Sequence, residues 1–180
     1  MSNFFFVDDV VLQKNLDIAF NHIAQLASLS ESKIYSDALR GSFRKSAMVN
    51  TASIIEALLL WMLKKKLKET DLKKETTSFK ILKEIYSVND RERIVLGRDE
   101  VKIEHRKFSK LNFAEINPLC REQRIIREEL YKKIDQVRVA RNGLHIGGLA
   151  KVEEGYSKKE LEFIFSVAKE VKSLAKNFQK

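Results

Sequence analysis

A chain of 180 residues with 44% hydrophobic and 33% charged side chains has the size and composition of one globular domain, which excludes a disordered chain. Its formal net charge of +9 favours anionic partners, nucleic acid or acidic protein, and says nothing about fold. The single cysteine, Cys120, excludes an intrachain disulfide and a cysteine-based metal cluster, and fits a reducing cytoplasm.

One proline and six glycines leave few chain breakers, so long helices are expected. The opening MSNFFFVDDVV lacks a basic n-region and is interrupted by Asp8 and Asp9, so it is not read as a secretory signal. Leu12, Leu16, Ala19, Ile23 and Leu26 then repeat as one stripe of an amphipathic helix over residues 8–29. Ser30 or Ser32 is expected to cap the next helix. It runs through YSDALRGSFRKSAMVN into TASIIEALLLWMLKKKL, either as one helix or as two joined where Ser53 and Glu56 form a capping box. Residues 54–63 are apolar nearly all round apart from Glu56; that length suits a buried core helix rather than a membrane span.

KKKLKETDLKKET reads as a helix end and polar loop. Thr77 or Ser78 is then expected to cap a short helix carrying Phe79, Leu82, Ile85 and Tyr86. Val101, Ile103 and His105 alternate with Lys102, Glu104 and Arg106, and residues 97–100 supply turn chemistry. A small β-hairpin near residues 92–106 follows from this. Asn117-Pro118 predicts the start of a long helix over 118–146, stopped by Gly147-Gly148. Ser157 and Glu160 form a capping box for a last helix through Leu161, Ile164, Ala168, Val171, Ala175 and Phe178. The expected fold class is all-α, an antiparallel bundle of about five helices with the hairpin inserted, one domain over residues 1–180.

The segment QVRVARNGLHIGG, residues 136–148, departs from this pattern. The apolar stripe Ile126, Leu130, Ile134, Val137 leads to Arg141 and then Leu144, so Arg141 occupies a seam position meant for an apolar side chain. A guanidinium there needs a partner or a cleft. Asp135, Arg138, Arg141, Asn142 and His145 gather on one helical face. Two readings stand. In the structural one, the arginines bind carboxylates such as Glu56, tie the helices together and suit the helix dipole, and His145 is a satisfied core histidine. In the chemical one, His145 titrates near neutrality and acts as acid or base, while arginine holds a phosphate. That set suits phosphodiester cleavage through an RNA 2′-hydroxyl without a metal. The histidines are His22, His105 and His145, and the chain has no His-x₃-His, HExxH, G-x-G-x-x-G, P-loop or G-x-S-x-G pattern. No metal and no cofactor is expected.

The segment RVARNGLH, with helices before and after it, resembles the HEPN (higher eukaryotes and prokaryotes nucleotide-binding) family. Members are helical bundles with an Arg-x(4–6)-His motif whose arginine is often followed by a polar residue. The resemblance implies a metal-independent endoribonuclease acting as a homodimer with a composite cleft, in a toxin–antitoxin or antiviral defence setting, with RNA as substrate and an antitoxin or defence-system protein as partner. Other members are non-catalytic interaction modules that bind a partner or nucleotide. Arg141-Asn142 supplies the Arg-Asn pair with three residues before His145, whereas Arg138 has six before His145 but is followed by Val139; either arginine can carry the motif. By this resemblance His145 is the general acid or base, Arg141 the phosphate ligand, Asn142 the positioning group and Arg138 a second phosphate contact. Asp135 and Glu56 support the arginines. Lys64, Lys65 and Lys66, with Lys68, Lys73 and Lys74 nearby, are either RNA backbone contacts or a solvated helix end. The expected location is the cytoplasm, with no membrane attachment.

Overall fold

The computed structural model describes residues 2–87, 92–143 and 156–178, with five α-helices and one two-stranded antiparallel sheet among them. These residues form two compact units, a helical unit from the two ends of the chain and a hairpin unit over residues 67–111.

Helix α1, Val10–Glu31, starts where the Asp9 carboxylate accepts a hydrogen bond from the Leu12 amide at 3.0 Å. The expected stripe is its inner face, with Leu16, Ile23 and Leu26 buried. Ser30 lies inside this helix and bonds back to Ala27, so it caps nothing. Helix α2, Asp37–Lys66, starts instead with Ser36, whose hydroxyl accepts from the Leu39 amide at 3.3 Å. It is one continuous helix of 30 residues. The internal capping box does not form, because the Ser53 hydroxyl donates to the Val49 carbonyl at 3.0 Å, a bond compatible with unbroken helix. Ile55, Leu58, Leu59, Met62 and Leu63 are fully buried, and both α1 and α5 pack along this helix. α2 is long and apolar enough to cross a membrane, yet its apolar side chains are spent on helix packing, with 61% of that window buried within the protein.

The long helix expected over 118–146 is two helices. α3, Phe113–Glu122, is capped by Asn112 with Glu115 closing the box, and Pro118 lies inside it rather than at its first position. α4 spans Glu128–Gly143. Between them Arg124 adopts a left-handed backbone with φ 56°, and the Ile125 amide turns back to the Cys120 carbonyl at 2.8 Å. The turn buries Ile125 and Ile126, which outweighs the cost of a left-handed arginine. Helix α5, Lys158–Lys176, has the expected Ser157–Glu160 capping box and buries Leu161, Ile164, Val167, Val171 and Ala175. The stop at Gly147-Gly148 lies outside the described residues.

The hairpin is larger than expected and starts earlier. Strand β1, Lys73–Ser87, pairs antiparallel with β2, Arg93–His105. The short helix expected from Thr77 or Ser78 is therefore strand, and residues 97–100 lie within β2 instead of forming a turn. Register shifts between Ile81 and Lys83 and between Glu84 and Tyr86 explain the difference. Each bulge adds a residue, so the apolar positions 79, 82, 85 and 86 imitate a helical period. Phe79, Ile81, Val101 and Ile103 share one face, while Lys80, Arg98, Glu100 and Lys102 share the other. On the polar face Glu100 accepts from Lys80 at 3.2 Å and from Arg98 at 2.9 Å.

Candidate functional site

The seam of α4 is buried at Leu130, Ile134 and Val137, and the next position is Arg141. Its guanidinium emerges against α2, where Nη1 donates to Glu56 Oε2 at 2.8 Å. This is the partner expected for an arginine in an apolar seam. Both side chains are mostly buried, at 29% exposure for Arg141 and 23% for Glu56. Glu56 in turn is the one carboxylate in the apolar stretch of α2, so each charge answers the other.

One turn earlier, Arg138 Nε donates to Asp135 Oδ1 at 2.7 Å within α4. That bond is the main reason the Arg138 guanidinium holds its proton even more firmly than usual. Asn142 follows Arg141 and is exposed. Arg138, Arg141 and Asn142 thus share the C-terminal end of α4, with Asp135 and Glu56 holding the two guanidiniums. Two positive and two negative groups sum to zero, so the quartet alone does not attract a phosphate at long range. An arginine has five N–H donors, and a carboxylate on one of them leaves others for a ligand oxygen. His145 lies outside the described residues.

The three lysines of the run differ in their contacts. Lys65 donates to Asp8 Oδ2 at 2.6 Å and lies 5.0 Å from the centre of the Trp61 ring. The same Asp8 accepts from Trp61 Nε1 at 2.9 Å. Lys65 is thus occupied in fastening the chain's start to α2, whereas Lys64 and Lys66 are exposed. They follow Glu56 by eight and ten residues, about 12–15 Å along a helix. The Lys65 bond, then the Trp61 bond, hold the Asp8 carboxyl below its ordinary value. Asp8 appeared in the sequence only as a break in an apolar run, and nothing local marks its partners 53 and 57 residues away.

Sequence reasoning also missed Arg44 on α2. Its Nη1 donates to the Tyr156 carbonyl at 2.8 Å, and Lys45 lies 5.4 Å from the Tyr156 ring centre. These bonds anchor the chain as it enters α5. Among the described residues no three His, Cys, Asp or Glu side chains gather as a metal site.

Comparison with protein-family models, curated proteins and solved structures finds no match.

Proposed function

We propose that this chain is a metal-independent endoribonuclease of the HEPN type, an antiparallel helical bundle that acts as a homodimer on RNA in a toxin–antitoxin or antiviral defence setting. What supports this reading is the convergence of Arg138, Arg141 and Asn142 at one end of α4, with both guanidiniums held by carboxylates and still reached by solvent. A guanidinium already fixed in place loses little freedom when a phosphate arrives.

In this reading the RNA 2′-hydroxyl attacks the adjacent phosphorus. The P–O5′ bond breaks, leaving a 2′,3′-cyclic phosphate and a 5′-hydroxyl. One imidazole takes the 2′ proton, and a second, from the other protomer's His145, delivers a proton to the leaving oxygen. Arg141 neutralises the charge that builds on the phosphoryl oxygens, Asn142 positions the phosphate and Arg138 makes a second contact. Lys64 and Lys66 guide the RNA backbone, with little sequence preference. The test is cleavage of varied RNAs in EDTA by the wild type and by Arg141→Ala and His145→Ala. Wild-type cleavage lost in both variants supports the proposal, and cleavage that survives both removes it.

The second reading is a non-catalytic helical module that dimerises or binds a partner protein or nucleotide. The neutral quartet favours it, because two arginines each satisfied by a carboxylate are what a structural tie requires. Wild-type protein that cleaves no RNA yet self-associates or captures nucleotide would select this reading.

A further inference from the structure

Helices α1 and α5 both pack along α2 and leave a groove between them. A cavity of about 410 Å³ opens there, within the range of small-molecule sites. Its floor is apolar and buried, with Phe4 at 1% exposure and Ile23 and Ile54 at 6% each. Ala24, Ala27 and Ala168 line it where larger side chains would fill it. The polar atom of Thr51 is already used, since its hydroxyl donates to the Ala47 carbonyl at 2.7 Å. The interior therefore offers little to a polar ligand and suits an aliphatic chain.

The lining also carries charge. Lys169 and Lys172 line the cavity, and neither takes part in an ion pair among the described residues. The Lys172 ammonium instead lies over the rings of Phe4 and Phe20, 4.8 and 5.2 Å from their centres. These contacts direct a cation at the cavity without neutralising it. An apolar hollow lined by two lysines that form no ion pair among the described residues matches one ligand chemistry, an alkyl chain ending in an anion.

We propose that this groove binds a medium-chain fatty carboxylate, its chain against Phe4, Ile23 and Ile54 and its carboxylate at Lys172 and Lys169. The site is independent of the ribonuclease reading, because none of its lining residues belongs to the Arg138–Arg141 cluster.

Calorimetric titration of the full chain with laurate tests this, with dodecanol and dodecyltrimethylammonium as uncharged and cationic comparisons. The expected result is saturable binding of one laurate, about five- to tenfold tighter than dodecanol, with the cationic amphiphile weakest. Lys172→Met should weaken laurate toward the dodecanol level, Lys169→Met/Lys172→Met should bring it to that level, and both should leave dodecanol unchanged. Ala27→Phe should abolish both, with circular dichroism reporting that the helices persist; if that variant unfolds, Lys172→Met decides. No saturable binding, equal affinity for laurate and dodecanol, or laurate binding that ignores Lys172→Met overturns the proposal. So does a groove that takes a second copy instead, seen as self-association that laurate does not displace.

Discussion

The Arg141–Glu56 bond puts the tension between structure and chemistry into one pair of side chains. Removing one partner leaves a mostly buried charge alone, at a cost of about 1–3 kcal/mol. Glu56→Ala should therefore lower stability by that amount in urea denaturation, and adding Arg141→Met should recover part of the loss. A double variant no more stable than Glu56→Ala alone would mean that the two charges do not depend on each other. The pairing was legible in the sequence, since an arginine in an apolar seam and a glutamate in an apolar helix each demand a partner. The neutralising role of Asp135 was legible from its spacing of three before Arg138. Asp8 was not, because its bonds to Trp61 and Lys65 depend on the chain's start folding back onto α2.

Asp8 gives a pH dependence of definite sign. Its folded pKa lies below the ordinary 3.8, so its contribution is present above that value and is lost as pH falls through the lower folded value. Asp8→Asn should lower the thermal midpoint at pH 7 and bring it closer to the wild type at about pH 3, with the size kept small by solvent. Parallel curves across that range would contradict the assignment. Cys120 is fully buried with its thiol 3.6 Å from the Leu59 carbonyl, and burial pushes the thiol up to about 12. It should not react with a disulfide reagent at pH 8 until the protein unfolds. Rapid labelling of the native protein would contradict that burial.

At the scale of elements, the helices with clean stripes or caps were readable. α1 and α5 bury most of their expected stripes, though Val167 rather than Ala168 is buried and Phe178 lies beyond the end of α5, and α5 has its expected capping box. The break between α3 and α4 was hidden, because neither glycine nor proline marks a turn made by a left-handed arginine. β1 was hidden for another reason. Its two bulges replaced the strand period with one resembling a helix, and the pairing partner that overrides local pattern lies in β2. Gly97 sits opposite Ile81, where an added Cβ would fall on the Phe79 ring and 2.7 Å from the Lys80 carbonyl oxygen. Gly97→Val should therefore speed hydrogen exchange of the β1 and β2 amides and leave the helical amides unchanged. Unchanged strand protection would show that Phe79 yields at no cost.

For the whole molecule, the net charge of +9 and the neutral arginine quartet act at different ranges. On the proposed reading the broad positive field would draw RNA at long range, and the quartet would contribute only at contact. RNA binding should thus weaken steeply with salt, while Arg141→Ala should reduce turnover far more than affinity. The helical class and the Arg–Glu tie could be read from the sequence, but the relation of His145 to Arg141 depends on residues beyond the described end of α4. The most direct measurement is single-turnover cleavage of an RNA in EDTA, with product ends identified, beside the same RNA carrying a 2′-deoxy residue at the cut position. A 2′,3′-cyclic phosphate from the first, no cut in the second and no product from His145→Ala are predicted. Cleavage of the 2′-deoxy substrate, or undiminished product from His145→Ala, would contradict an imidazole-assisted attack by the 2′-hydroxyl.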